Sequence, residues 1–169
     1  FNSRYHLETF FAALPPFLRH YPEYNELDSV PALRDKSAVL PVGIDLCRLD
    51  SSEAAGASLP PLILWNQRLE FDKNPARFMS VLLELAGEGL SFRVALCGER
   101  FGQPGAEWLA GVAALGQRVV HNDYANDEQY RRLLWDATLT FSTADHEYFG
   151  ISILEAAYAH TLPLLPARL

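Results

Sequence analysis

The sequence predicts an α/β domain built on a doubly wound parallel sheet. Two observations carry that reading. Short, nearly continuous apolar runs recur along the chain, the pattern of parallel strands covered on both faces. Segments of helical period separate them, which implies βαβ units. A length of 169 residues is enough for a proper core. With 49% hydrophobic and 21% charged residues, the composition excludes a disordered or fibrous chain.

The elements follow in order. Residues 3–21 read as helical, broken at Pro15 and Pro16, because a proline ring clashes with the preceding turn. Strands are expected at 38–42, 62–66, 92–98, 118–122, 138–142 and 162–166. Asn74 followed by Pro75 starts a helix, and Phe78, Val81, Leu82 and Leu85 form its inward stripe. A weaker helix spans about 105–115, with Trp108, Val112 and Leu115 on one face. Asn126 caps another, whose stripe is Tyr130, Leu133, Leu134 and Ala137. The last helix starts near Gly150 and turns Ile151, Leu154 and Tyr158 inward. Residues 22–36 and 50–61 read as loops. The domain reading is a single unit over 1–169, with a leading helix and linker at 1–36 and the core at 37–169.

A net charge of −7 at pH 7 gives the surface the wrong overall sign for direct binding to nucleic-acid phosphates. Cys47 and Cys97 make neither a disulfide framework nor a metal site, which suits an intracellular, cytoplasmic setting. No apolar run has the length of a membrane span, and no signal-peptide pattern opens the chain.

Open parallel sheets bind ligands beyond the carboxyl ends of their strands, which here selects the loops 66–73, 98–104, 122–126 and 143–150. In the first, Arg68 offers a planar fork and Lys73 a point charge beside a helix N-terminus, a combination suited to a diphosphate. The plainer alternative is a pair of solvated surface cations matched with Glu70 and Asp72. In the last loop, Gly150 lets the turn pass close to a ligand. Glu147 and Glu155 bracket it. A nucleotide sugar has phosphates in its middle and vicinal hydroxyls at both ends. A carboxylate accepts two hydrogen bonds from such a pair, so one glutamate suits a ribose and the other a sugar. Of the five histidines only His146, beside Glu147, is a site candidate. No zinc constellation, Ser/His/Asp set or Cys/His set can be assembled, and the first strand-to-helix loop lacks the glycine fingerprint of dinucleotide dehydrogenases.

These residues match a family. The segment from Glu147 through Phe149 and Gly150 to Glu155 resembles the Glu-x7-Glu signature of family-4 retaining glycosyltransferases. Arg68 and Lys73 stand at that family's Arg-x4-Lys spacing. Phe1-Asn2-Ser3 and Pro41-Val42-Gly43-Ile44-Asp45 look like its asparagine-serine and "nGvD" stretches, in the right order. Leu64 to Pro75, Gly98 to Phe101 and Ser142 to Gly150 look closest to the glycosyltransferase-like domain-containing group that includes tRNA-queuosine mannosyltransferase. Three positions depart from the usual pattern: Asn66 where many relatives have glycine, Tyr148 in place of a frequent proline, and His160-Thr161 before the last strand.

The resemblance implies a GT-B enzyme of two Rossmann-like halves, this chain being the nucleotide-sugar-binding half. It implies transfer with retention from a nucleotide-diphosphate sugar, GDP-mannose favoured, to an acceptor such as queuosine-modified tRNA. No metal and no cofactor are expected. Glu147 would contact the transferred sugar and Glu155 the ribose. Arg68 and Lys73 would stabilise charge building on the leaving diphosphate. Gly150, Phe149, Tyr148 and His146 would line the substrate site, and Tyr124 would meet the base. The chain opens on Phe1 and stops just past the last strand candidate. The N-terminal acceptor domain is therefore expected to be absent, leaving a fragment that binds donor weakly and does not turn over. Two other readings remain: a GT-B sugar-nucleotide epimerase or phosphorylase, and a non-catalytic Rossmann-like binding or interaction module.

Overall fold

A computed structural model describes residues 1–50, 59–100 and 102–167. Most of the loop expected at 50–61 therefore lies outside the described residues, as does Phe101. Contacts divide the chain into two compact units, Phe1–Ile44 and Asp45–Leu169. The division falls after Ile44, where the sequence suggested a boundary after residue 36.

The first unit is helical. α1 (Arg4–Leu18) starts at Ser3, whose side chain accepts from the His6 amide at 3.1 Å. It runs on through Pro15 and Pro16, so the expected break is not there. The two rings forfeit amide bonds to the preceding turn, but their locked φ is helical and the helix ends within a turn. The Arg19 amide then closes on the Pro15 carbonyl at 3.2 Å. The expected loop over 22–36 also needs correction: it holds a 3-10 turn, Leu27–Ser29, and α2 (Val30–Asp35). Pro31 favours this start, because its fixed φ is helical and the first turn needs no N–H from it. Residues 38–42 form no strand. Among the described residues their backbone pairs with Phe1, which donates to the Ala38 carbonyl and accepts from the Leu40 amide. Pro41 has no N–H with which to continue a ladder.

The second unit is the expected doubly wound domain. In chain order it contains β1 (Leu62–Trp65), α3 (Pro75–Gly87), β2 (Arg93–Leu96), α4 (Ala106–Leu115), β3 (Val119–Asn122), α5 (Asp127–Asp136), β4 (Leu139–Phe141), α6 (Ile151–Tyr158) and β5 (Leu162–Leu164). All neighbours pair in parallel, in the order β3-β2-β1-β4-β5. Central β1 is buried at every position, which explains its unbroken apolar sequence. Its residues alternate between two cores, as a strand's period of two requires. Leu62 and Leu64 join Leu134 and Ala156, from α5 and α6. Ile63 and Trp65 join Phe78, Leu82 and Trp108, from α3 and α4.

Phe78 anchors that second core. It is fully buried, with its ring 4.2 Å from Trp65 and stacked 4.4 Å from Phe141, measured between centroids. Phe78→Ala is expected to destabilise the fold by about 3–5 kcal/mol, because the cavity cannot collapse against two rings held by β1 and β4. Urea unfolding checks this; a loss below about 1 kcal/mol would show the site relaxing instead.

The strand order places the site. From β1 the chain moves outward through β2 and β3, then returns to the other side of β1 for β4 and β5. The winding reverses between β1 and β4, and a crevice opens where their following loops diverge. Those are the loops that carry Arg68, Lys73, Glu147 and Gly150.

Candidate functional site

The loops after β1 and β4 are stitched together by backbone and short side chains. A 3-10 turn, Phe71–Lys73, leads to Asn74, whose left-handed backbone (φ 49°) turns the chain into α3. Asparagine tolerates that conformation, and its side chain also accepts from the Arg77 amide at 3.3 Å. Thr143 donates to the carbonyls of Lys73 and Asn74 at 2.9 and 3.0 Å. The Asp145 amide donates to the Asp72 carbonyl at 2.8 Å, and the Asn74 amide group reaches the Asp145 carboxylate at 3.2 Å.

This stitching buries Lys73, which is only 5% exposed. Its Nζ donates to Glu147 Oε2 and the His146 carbonyl, both at 3.1 Å, and lies 3.2 Å from Asp72 Oδ2. The picture of a solvated surface cation is therefore wrong for Lys73. For Arg68 the simple pairing holds: its half-exposed guanidinium sits 3.2 Å from Glu70.

Glu147 connects this cation to a helix. Gly150 precedes α6 with φ +78°, a conformation that favours glycine. Its amide donates to Glu147 Oε1 at 3.1 Å. One carboxylate thus bridges Lys73 and the positive end of α6.

Glu155, one turn into α6, is buried and held on both oxygens. Arg48 pairs with Oε1, and the Tyr130 hydroxyl donates to Oε2 at 2.6 Å. The same hydroxyl accepts from Asn66 Nδ2 at 3.0 Å, and Nδ2 also donates to the Ser152 carbonyl at 2.8 Å. Burial, and then the hydrogen bond to Glu155, push the Tyr130 phenol far above its ordinary range, so it remains a donor. Arg48 and Tyr130 were not sequence candidates. Tyr130 counted only as part of an apolar stripe, yet a buried tyrosine hydroxyl needs a partner.

These residues line one pocket of about 380 Å³, shared by Asn66, Arg68, Lys73, Tyr130, Glu147, Tyr148, Phe149, Gly150 and Glu155. The His146 ring is not among the lining groups; that residue contributes its backbone carbonyl to Lys73. Tyr124 is exposed on the loop after β3 and does not line the pocket. A larger cavity of about 500 Å³, between α3 and α4, contains none of the candidate residues. Cys97 is unpaired and buried, and burial raises its thiol to about 12, which removes it as a nucleophile. Among the described residues no three His, Cys, Asp or Glu side chains cluster as metal ligands. No helix there is long and apolar enough to cross a membrane.

The fold is a doubly wound α/β domain that superposes on solved glycosyltransferases. The catalytic domain of cholesterol-alpha-glucosyltransferase from Helicobacter pylori superposes with a TM-score of 0.50 at 20% identity, over 64% of this chain and 65% of that one. TarM gives 0.53 at 17% identity, over 85% of this chain and 28% of that one. At such identities the likeness concerns the fold.

More particularly, the sequence is similar to the tRNA-queuosine alpha-mannosyltransferase of Drosophila melanogaster, 29% identical over 177 residues. The match takes in the whole of this chain and 47% of the relative, so the chain spans about half its length. Residues 1–44 match the family model "tRNA-queuosine alpha-mannosyltransferase N-terminal". Those are also the bounds of the first structural unit. The stretch expected to be a leading helix and linker is therefore similar to part of that N-terminal region.

Proposed function

We propose that the pocket holds the donor of a GT-B glycosyltransferase, a nucleotide-diphosphate sugar. The observation that carries the reading is the buried Lys73, bridged by Glu147 to the N-terminus of α6 at the sheet's switch point. Lys73, Arg68 and the helix end lie together there, and a diphosphate would take the place that Glu147, Asp72 and Glu70 now hold on them. Glu147 would meet the transferred sugar, and Glu155 the ribose once Arg48 yields Oε1. Tyr148, Phe149 and Gly150 would line the donor, with Tyr124 and His146 at its margins.

The similarity to a tRNA-queuosine alpha-mannosyltransferase supports a mannosyl donor and queuosine-modified tRNA as acceptor, and GDP-mannose is the donor of this proposal. Retention of configuration and a cytoplasmic setting belong to the same proposal. The acidic charge of this chain fits a division of labour in which tRNA phosphates are held elsewhere in the enzyme. Protein cations supply the charge stabilisation, so no metal is required. The chain alone would bind donor without turning it over.

Thermal unfolding with GDP, UDP, ADP and their sugars tests the donor site. A bound nucleotide at a hundredfold excess over Kd should stabilise the fold by about 2.7 kcal/mol. Glu155→Ala should abolish the shift, and EDTA should leave it unchanged. No response to any nucleotide would favour a non-catalytic module. Sugar transfer by the chain alone would refute its inactivity.

A further inference from the structure

We infer that Tyr130 is a positioning residue for Glu155, and that Asn66 holds it to that task; the inference rests on the donor reading above. Each group in the chain from Asn66 to Glu155 is constrained in one direction. Asn66 Nδ2 donates to the Ser152 carbonyl at 2.8 Å, which fixes the orientation of its amide. The same nitrogen donates to the Tyr130 hydroxyl at 3.0 Å. That contact takes up the acceptor side of the hydroxyl and directs its single proton to Glu155 Oε2, 2.6 Å away. Ser152 and Glu155 are one turn apart on α6, so Asn66 also ties the loop after β1 to the helix that carries the carboxylate.

The two partners of Glu155 differ in mobility. Arg48 has a side chain 44% exposed, so its guanidinium can move into solvent once ligand hydroxyls take its place on the buried carboxylate. Tyr130 sits on α5, packed against the core formed by Leu134 and Ala156. When a ligand enters, Arg48 releases Oε1 while Tyr130 keeps Oε2 in place. The carboxylate then faces the pocket in one orientation, with an acceptor for each hydroxyl of a vicinal pair. Tyr130 acts on the ribose through Glu155, and its effect therefore appears as discrimination between sugars.

The test is calorimetric binding of a nucleoside diphosphate and of its 2′-deoxy counterpart. The base is the one that stabilises the parent protein best. Tyr130→Phe should weaken the ribonucleotide about tenfold and leave the deoxynucleotide nearly unchanged, so that the preference for ribose falls towards unity. Asn66→Ala, which keeps the phenol but frees it, should move the preference the same way. Equal weakening of both nucleotides, or an unchanged preference in either variant, would overturn the inference while leaving the donor site intact. Absence of nucleotide binding by the parent protein would overturn the donor reading itself, and this inference with it.

Discussion

Under the proposed glycosyltransferase reading, replacing Lys73 by alanine in a protein competent for transfer is expected to slow it by roughly 10²–10³-fold, the usual loss when one group facing developing charge is removed. Lys73 Nζ is held in place by Glu147, Asp72 and the His146 carbonyl, and a diphosphate oxygen would replace one of these acceptors as charge builds on the leaving group. The loss should fall mainly on kcat, because charge accumulates on the leaving group in the transition state. Lys73→Arg should recover only part of the rate: a planar fork cannot occupy the place of a point charge among three acceptors. Alanine also leaves Glu147 and Asp72 without their shared cation, so some stability is lost as well. Steady-state kinetics on the full-length protein, with unfolding measured in parallel, separates the two effects. An unchanged kcat would remove Lys73 from the chemistry.

Gly98→Ala should be the most damaging single methyl added to the second unit, costing about 4 kcal/mol or more. A Cβ at this position would lie 1.6 Å from the Gln67 carbonyl oxygen and 2.6 Å from its carbon. The obstacle is backbone that cannot move alone. The Cys97 amide donates to the Trp65 carbonyl and the Leu69 amide to the Glu99 carbonyl, both at 2.9 Å, on either side of the contact. Relief would spread the loops after β1 and β2 and carry Arg68 away from the pocket. Gly111→Ala is a useful contrast. Its added methyl would meet Met79 Cγ and Sδ at 2.3 and 2.6 Å. These belong to a flexible side chain that can repack, and alanine favours the helix. Gly98→Ala should therefore unfold at clearly lower urea than Gly111→Ala; equal midpoints would refute the backbone clash.

Much of the second unit was legible because its signals are local. Continuous apolar runs marked β1, β2 and β4, and the Asn74 and Asn126 caps marked α3 and α5. At Asn126 the structure shows a full capping box with Gln129. The first unit was harder to read. Pro15 and Pro16 looked like a break, but proline's φ is helical and α1 ends soon after. Residues 38–42 have the composition of a strand but, among the described residues, form no ladder beyond the two bonds to Phe1; pairing decides that, not composition.

The site divides in the same way. The alternation of strands and helices placed Arg68, Lys73, Glu147, Gly150 and Glu155 on or beside ligand-side loops, and the family resemblance made them site candidates. Only the tertiary structure decided that Lys73 is buried while Arg68 is half exposed, and that Glu147 spans Lys73 and the start of α6. It alone joined Asn66, Tyr130 and Arg48 to Glu155, across segments separated by 25 to 107 residues. The physical reason is range. Backbone preference and hydrophobic period act over a few residues and are written in the sequence. Burial and the hydrogen bonds it compels depend on which distant segments meet.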